Sequence, residues 1–166
     1  MDQVEASTAA VRALSGVNPG ATILDVGAGG GFPGLWIAAC DARPGWLVEP
    51  RARRADFLEL MLGAMGRTDW SVVRARWEAG NWQGVGSEQR GLEGLRASAP
   101  AVVSARAVWD PERWWLHGSA MVGPEGHVLL HVRAGMPNPG TARIVKSVVL
   151  GDWEARLVTS AGAAVG

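Results

Sequence analysis

Two carboxylates and an arginine stand where a nucleotide-type ligand would be handled. Asp25 lies in the short apolar run Ile23-Leu24-Asp25-Val26, and the cluster Gly27-Ala28-Gly29-Gly30-Gly31 follows, then Phe32-Pro33-Gly34. Glu49 closes Trp46-Leu47-Val48, and Arg106 comes just after Ala101-Val102-Val103-Ser104. Glycines allow positive φ and close approach of backbone to a ligand. A helix opening at Pro33 would offer free N–H groups and a positive dipole end, and proline suits a first turn whose N–H is unpaired anyway. Gly29, Gly31 and Gly34 match a Gly-x-Gly-x-x-Gly pattern, but several residues beyond the strand end, poorly placed for a pyrophosphate. Asp25 beside a pyrophosphate would add repulsion. S-adenosylmethionine (SAM) has no phosphate and carries a sulfonium and an ammonium. Glu49 suits a ribose diol in NAD and SAM alike. The two acids together favour SAM, with an NAD-type Rossmann protein as the less favoured alternative.

These residues need strands that end at a common edge. Alternation of apolar runs and turn signals predicts helix at 2–15, strand at 22–26, helix at 33–39, strand at 46–49, helix from Pro50 to about Met65, and strand at 70–73. Phe57, Leu58, Met61 and Leu62 supply the apolar spacing of the third of those helices. Residues 80–99, rich in Gly, Ser, Gln and charge, are expected as a loop excursion with a short helix at 88–97. Strands follow at 101–104 and 128–132, flanking a helix from Asp110-Pro111 to Met121. A Gly/Pro loop at 133–141 leads to strands at 144–150 and 153–159, joined at Gly151-Asp152. Residues 160–166 are expected to fray. This pattern predicts an α/β, doubly wound, Rossmann-like sheet with a terminal antiparallel strand pair, forming a single domain over 1–166. In such sheets ligands sit at the carboxyl ends of the strands, where strand order reverses.

The 166 residues suffice for one core. No apolar run approaches the ~20 residues that span a bilayer, and the acidic, polar start does not read as a signal peptide. No membrane association is expected, and a cytoplasmic monomer is the default. Formal net charge is zero, so electrostatics alone do not announce a nucleic-acid binder. Cys40 is the only cysteine, which removes an intrachain disulfide and a cysteine-rich zinc site. It is expected as an inert core thiol. His127 and His131 share a strand face without an evident third ligand, so no metal is expected. Arg51, Arg53 and Arg54 read equally as phosphate contacts or as a solvated helix face. The nine Trp are expected mainly in packing, with Trp109, Trp114 and Trp115 as lesser candidates for stacking a base.

The segment Asp25-Val26-Gly27-Ala28-Gly29-Gly30-Gly31-Phe32-Pro33-Gly34-Leu35 resembles the signature of the RsmG (GidB) family, bacterial 16S rRNA guanine-N7 methyltransferases, above all in Gly-Phe-Pro-Gly. Leu47-Val48-Glu49 with Arg53-Arg54 and Phe57-Leu58, Arg76-Trp77-Glu78, and Ser104-Ala105-Arg106-Ala107-Val108 are similar to further family segments, in order. The resemblance covers roughly residues 20–133. It implies a class I SAM-dependent methyltransferase that transfers a methyl group to N7 of a guanine in the 16S rRNA of the small ribosomal subunit. It implies cofactor contacts at Asp25, Gly27, Ala28, Gly29, Gly31, Phe32, Glu49, Trp77, Glu78 and Arg106, with Arg106 at the mouth of the transfer pocket as the catalytic candidate. The family's Arg-His-x-x-Asp-Ser element has no counterpart in residues 1–22, and its lysine-glycine after the fifth strand appears as Arg133-Ala134-Gly135. The expectation is an N-terminally short or divergent member. A SAM-binding relative with another substrate, or without catalysis, is the alternative.

Overall fold

The computed structural model describes residues 2–86, 91–123 and 125–160. Seven strands form one sheet in the order β3-β2-β1-β6-β7-β9-β8. They are β1 (Ile23–Val26), β2 (Gly45–Val48), β3 (Trp70–Val73), β6 (Val102–Ala105), β7 (His127–Arg133), β8 (Ala142–Leu150) and β9 (Trp153–Ser160). The first five of these run parallel; β9 is antiparallel to both β7 and β8. The expected terminal pair is therefore present, with β9 inserted between β7 and the edge strand β8. Strand order reverses between β1 and β6, which makes the carboxyl end of that junction the place for a ligand.

Helices cover both faces. α1 (Asp2–Ala13), α2 (Gly34–Cys40) and α3 (Ala52–Ala64) enclose one core of Ala9, Leu14, Ile23, Ile37, Leu47, Leu58, Leu62, Leu129 and Leu157. α4 (Leu92–Ala97) and α5 (Pro111–Met121) enclose the other, with Leu24, Val48, Leu92, Leu95, Trp114, Val128 and Leu130. The parallel strands are mostly apolar on both faces because both are buried, with Asp25 and Ser104 as buried polar exceptions. α5 begins as its residues dictate: Asp110 accepts a bond from Arg113 N at 2.9 Å, and Pro111 takes the first helical position.

Three expectations change. Phe57 is 43% exposed, so the buried stripe of α3 is Ala55, Leu58 and Leu62 alone. Cys40 is exposed at the last position of α2 rather than in the core. Residues 75–84 form a two-stranded hairpin, β4 (Ala75–Glu78) with β5 (Asn81–Gly84), in which Trp77 lies opposite Trp82 with ring centroids 4.9 Å apart. Aromatic pairing across two short strands outweighs the loop-like composition. Of the expected helix at 88–97, Leu92–Ala97 is observed; 88–90, like the tail 161–166, lie outside the described residues.

Candidate active site

The chain leaves β1 by hanging onto β2. Gly27 N and Ala28 N both donate to Val48 O, at 2.8 and 3.0 Å. Gly27, Gly29 and Gly31 have φ of 70°, 56° and 93°, so the turn needs residues without a side-chain penalty. At Gly27 space is also short: a Cβ there would lie 2.5 Å from Val108 Cγ2.

Glu49 braces this turn. Its Oε2 accepts from Gly29 N at 2.9 Å, and its Oε1 accepts from Arg51 N at the same distance. The side chain is buried, yet it lines a cleft of about 580 Å³. That is the size of a small-molecule site, for which about 300–1,000 Å³ is usual. Carboxylate oxygens have further lone pairs, so both bonds leave acceptor capacity toward the cleft.

The cleft sits over the carboxyl ends of β1, β2 and β6. Gly27, Ala28, Gly29 and Phe32 line it from the first turn, Glu49 from the second strand end, Trp77 and Glu78 from the hairpin, and Arg106 from the end of β6. These expected site residues therefore meet in one place. Asp25 and Gly31 lie behind the turn and do not line it. Asp25 Oδ2 instead accepts from Gly34 N at 3.0 Å, fastening the start of α2 to β1. Arg51 and Arg54 line the rim, and Arg53 is exposed beside them. Trp109 reaches the cleft while stacked in parallel on buried Trp114, centroids 5.7 Å apart. Trp114 and Trp115 are packing residues.

Burial dominates the electrostatics. The Asp25 carboxyl is raised to about 7 by desolvation, opposed by the Ser104 hydroxyl, the Gly34 N–H and the field of Arg106. Desolvation lowers the Arg106 guanidinium, and Asp25 opposes that. His131 is pushed down to about 3, first by burial and then by Arg106. Its Nε2 lies 3.1 Å from Ser104 Oγ, so this histidine is tied into the sheet. Among the described residues no group of three His, Cys, Asp or Glu side chains is arranged to hold a metal.

The residue pattern did not single out Gln3, Ala107 or Val108 as cleft-lining, nor the meeting of Ser104 with His131. Gln3 arrives through tertiary packing of α1, for which no local signal exists. Ala107 has φ 58°, a left-handed conformation unusual for a residue with a side chain and a common mark of functional turns.

The family model described as GidB, rRNA small subunit methyltransferase G, matches residues 3–130. The chain is 30% identical over 154 residues to a ribosomal RNA small subunit methyltransferase G from Novosphingobium aromaticivorans, covering 80% of this chain and 60% of that protein. It is 38% identical over 100 residues to the protein of that name from Bifidobacterium adolescentis, covering 52% of this chain and 40% of the relative. The chain thus spans about half the length of these curated relatives. Its fold is similar to that of a SAM-dependent methyltransferase from Geobacter sulfurreducens solved with S-adenosyl-L-homocysteine. The TM-score is 0.57 at 16% identity, over 77% of this chain and 47% of that one.

Proposed function

The chain belongs to the GidB family, rRNA small subunit methyltransferase G, and from that premise we propose that it transfers the methyl group of SAM to N7 of a guanine in 16S rRNA. One observation carries the reading. The described walls of the cleft hold carboxylates at Glu49 and Glu78 and guanidinium groups at Arg51, Arg54, Arg76 and Arg106, but no thiol, imidazole, hydroxyl or amine. Such walls suit an acceptor that brings its own lone pair. Guanine N7 is one: it carries no proton, so its attack needs alignment and no general base.

The residues present fit SAM. When bound, SAM supplies an electrophilic methyl group on a sulfonium. Glu49 would hold the ribose hydroxyls with the acceptor capacity its two backbone bonds leave free. Val48, Ala75 and Trp77 would flank the adenine, and the Trp77 Nε1–H is shielded without an acceptor among the described residues. Gly27, Ala28, Gly29 and Phe32 would let the backbone approach. Asp25 and Gly31 would support the turn from behind, in keeping with their bonds there. Arg106 would orient the acceptor through O6 or a phosphate, or hold the donor's carboxylate, since N7 itself must remain free. Arg51, Arg53 and Arg54 would meet RNA phosphates.

This reading makes the chain a single methyltransferase domain that works as a cytoplasmic monomer on the small ribosomal subunit. No described helix is long and apolar enough to cross a membrane. The zero net charge favours one further reading, a SAM-binding relative with a less anionic substrate. The donor is tested by titrating the protein with SAM and with NAD in a calorimeter. SAM binding without NAD binding is the expected outcome; NAD binding without SAM binding overturns the proposal.

A further inference from the structure

Below the glycine turn lies a row of three polar side chains that methyl transfer to a lone pair does not itself require. Asp25 on β1 stands opposite Ser104 on β6, and Ser104 stands opposite Leu129 on β7. His131, two residues past Leu129, projects from the same face, the one packed against α1 and α2. Ser104 Oγ is 3.1 Å from His131 Nε2. Asp25 Oδ1 and His131 Nδ1, on either side of that contact, are shielded from solvent, and neither makes a hydrogen bond among the described residues.

The surroundings leave Arg106 as the charged group in play. It follows Ser104 by two residues, and its field acts on both Asp25 and His131. From α2 the side chains are apolar up to exposed Cys40. From α1 come Ala9, Ala10, Ala13 and buried Ser7, while Glu5 lies against Gly151 at the β8–β9 turn. Glu49 on β2 is bound to the backbone of the turn above. Ala155 and Leu157 on β9 are apolar.

We infer that Asp25, Ser104 and His131 are positioning residues of the donor pocket, a row completed when the Asp25 carboxyl brings Oδ1 onto Ser104 Oγ, and that its hydrogen-bond direction follows a proton on Asp25 and decides whether Arg106 is held toward Asp25 or released to a ligand anion. The inference rests on the reading of the cleft as a SAM site. A serine hydroxyl has one proton, so the row has two complete orders. With Asp25 ionised, Ser104 donates to Oδ1 and His131 Nε2–H donates to Ser104. With Asp25 protonated, Oδ1–H donates to Ser104, Ser104 donates to Nε2, and the imidazole proton sits on Nδ1. One proton taken up at Nδ1 converts the first order into the second. The Nε2 proton passes to Oγ and the hydroxyl proton passes to Oδ1, leaving His131 neutral throughout. Ionised Asp25 attracts Arg106 through a low-dielectric interior, and neutral Asp25 does not. Burial brings the changeover into the neutral range.

The imidazole tautomer reports the order directly, and the chain has only three histidines to resolve. With protein carrying [15N]histidine, His131 is expected as the Nε2–H form at about pH 8.5 and as the Nδ1–H form at about pH 5.5. In Asp25→Asn the amide oxygen keeps the Gly34 bond and the amide N–H donates to Ser104, so His131 stays Nδ1–H at both. Ser104→Ala cuts the row, and the tautomer ceases to follow pH. Affinity for S-adenosylhomocysteine should fall roughly fivefold or more from about pH 6 to about pH 8 in the parent protein, and remain flat in Asp25→Asn. A single His131 tautomer across the range in the parent protein overturns the inference. No S-adenosylhomocysteine binding at any pH, with the tautomer change intact, overturns the donor-pocket reading and the role given to Arg106.

Discussion

Glu49 has two tasks at one carboxylate. It closes two backbone N–H bonds inside the turn and faces the cleft with what acceptor capacity remains. Glu49→Gln turns one acceptor oxygen into a donor against a backbone donor. A buried unpaired group costs about 1–3 kcal/mol, so calorimetry should show S-adenosylhomocysteine binding weakened about tenfold or more. Arg106 makes the opposite case, since among the described residues it forms no hydrogen bond and no ion pair. Arg106→Ala should leave thermal stability nearly unchanged while turnover falls steeply; unaltered turnover removes Arg106 from the site. Both residues were legible in the sequence from residue type at a strand end. Ser104 and His131 were each visible, but not their contact, because 27 positions separate them and only the β6–β7 register brings them together.

The joint between β1 and α2 is the element on which the site depends. Gly34 has no room for a side chain: its Cβ would lie 2.5 Å from Asp25 Oδ2 and would collide with Leu47. Gly30, four residues earlier, faces open space. Gly34→Ala should therefore destabilise by about 1–3 kcal/mol, lowering the melting temperature by several degrees, whereas Gly30→Ala should stay within about 0.5 kcal/mol. A thermal melt of both variants checks this; equal effects would mean that the helix does not dock so closely. Strand–turn–helix units were readable because their signals are local: apolar runs, glycine clusters and Asp110-Pro111. The β4–β5 hairpin was not, because Trp77 and Trp82 stabilise each other across strands while Gly, Gln and Asn around them look like loop. The exposure of Phe57 was missed for a related reason, since apolar residues at helical spacing also occur on the edge of a buried stripe.

At the scale of the whole molecule, pH sets stability through groups that oppose each other. Asp25 lies near 7 in the folded chain against an ordinary 3.8, so folded protein holds a proton that the unfolded chain releases, and stability falls as pH rises between those values. His131 lies near 3 against 6.5, so its contribution is lost as pH falls through that window. Glu154, held near 2 chiefly by hydrogen bonding to Arg156 on β9, adds a loss as pH falls below about 4.5. Between about pH 4 and 6.5 the first two slopes cancel, and acid unfolding begins below. Asp25→Asn removes one of the opposing groups. Its stability relative to the parent should rise by roughly 2–3 kcal/mol from about pH 5 to about pH 8, read from urea unfolding. A difference independent of pH would mean that Asp25 is ionised throughout. The doubly wound sheet, its parallel core and the terminal antiparallel pair followed from the alternation of elements, whereas the insertion of β9 between β7 and β8 is a long-range choice without a local signal.

Methyl transfer to guanine N7 is read out by nucleoside mass spectrometry of 16S rRNA. Small ribosomal subunits from a strain lacking this modification are incubated with the protein and SAM, and the RNA is digested to nucleosides. 7-Methylguanosine is expected only when both protein and SAM are present. Absence of 7-methylguanosine, under conditions in which a full-length relative produces it, would contradict methyl transfer to N7 by this chain.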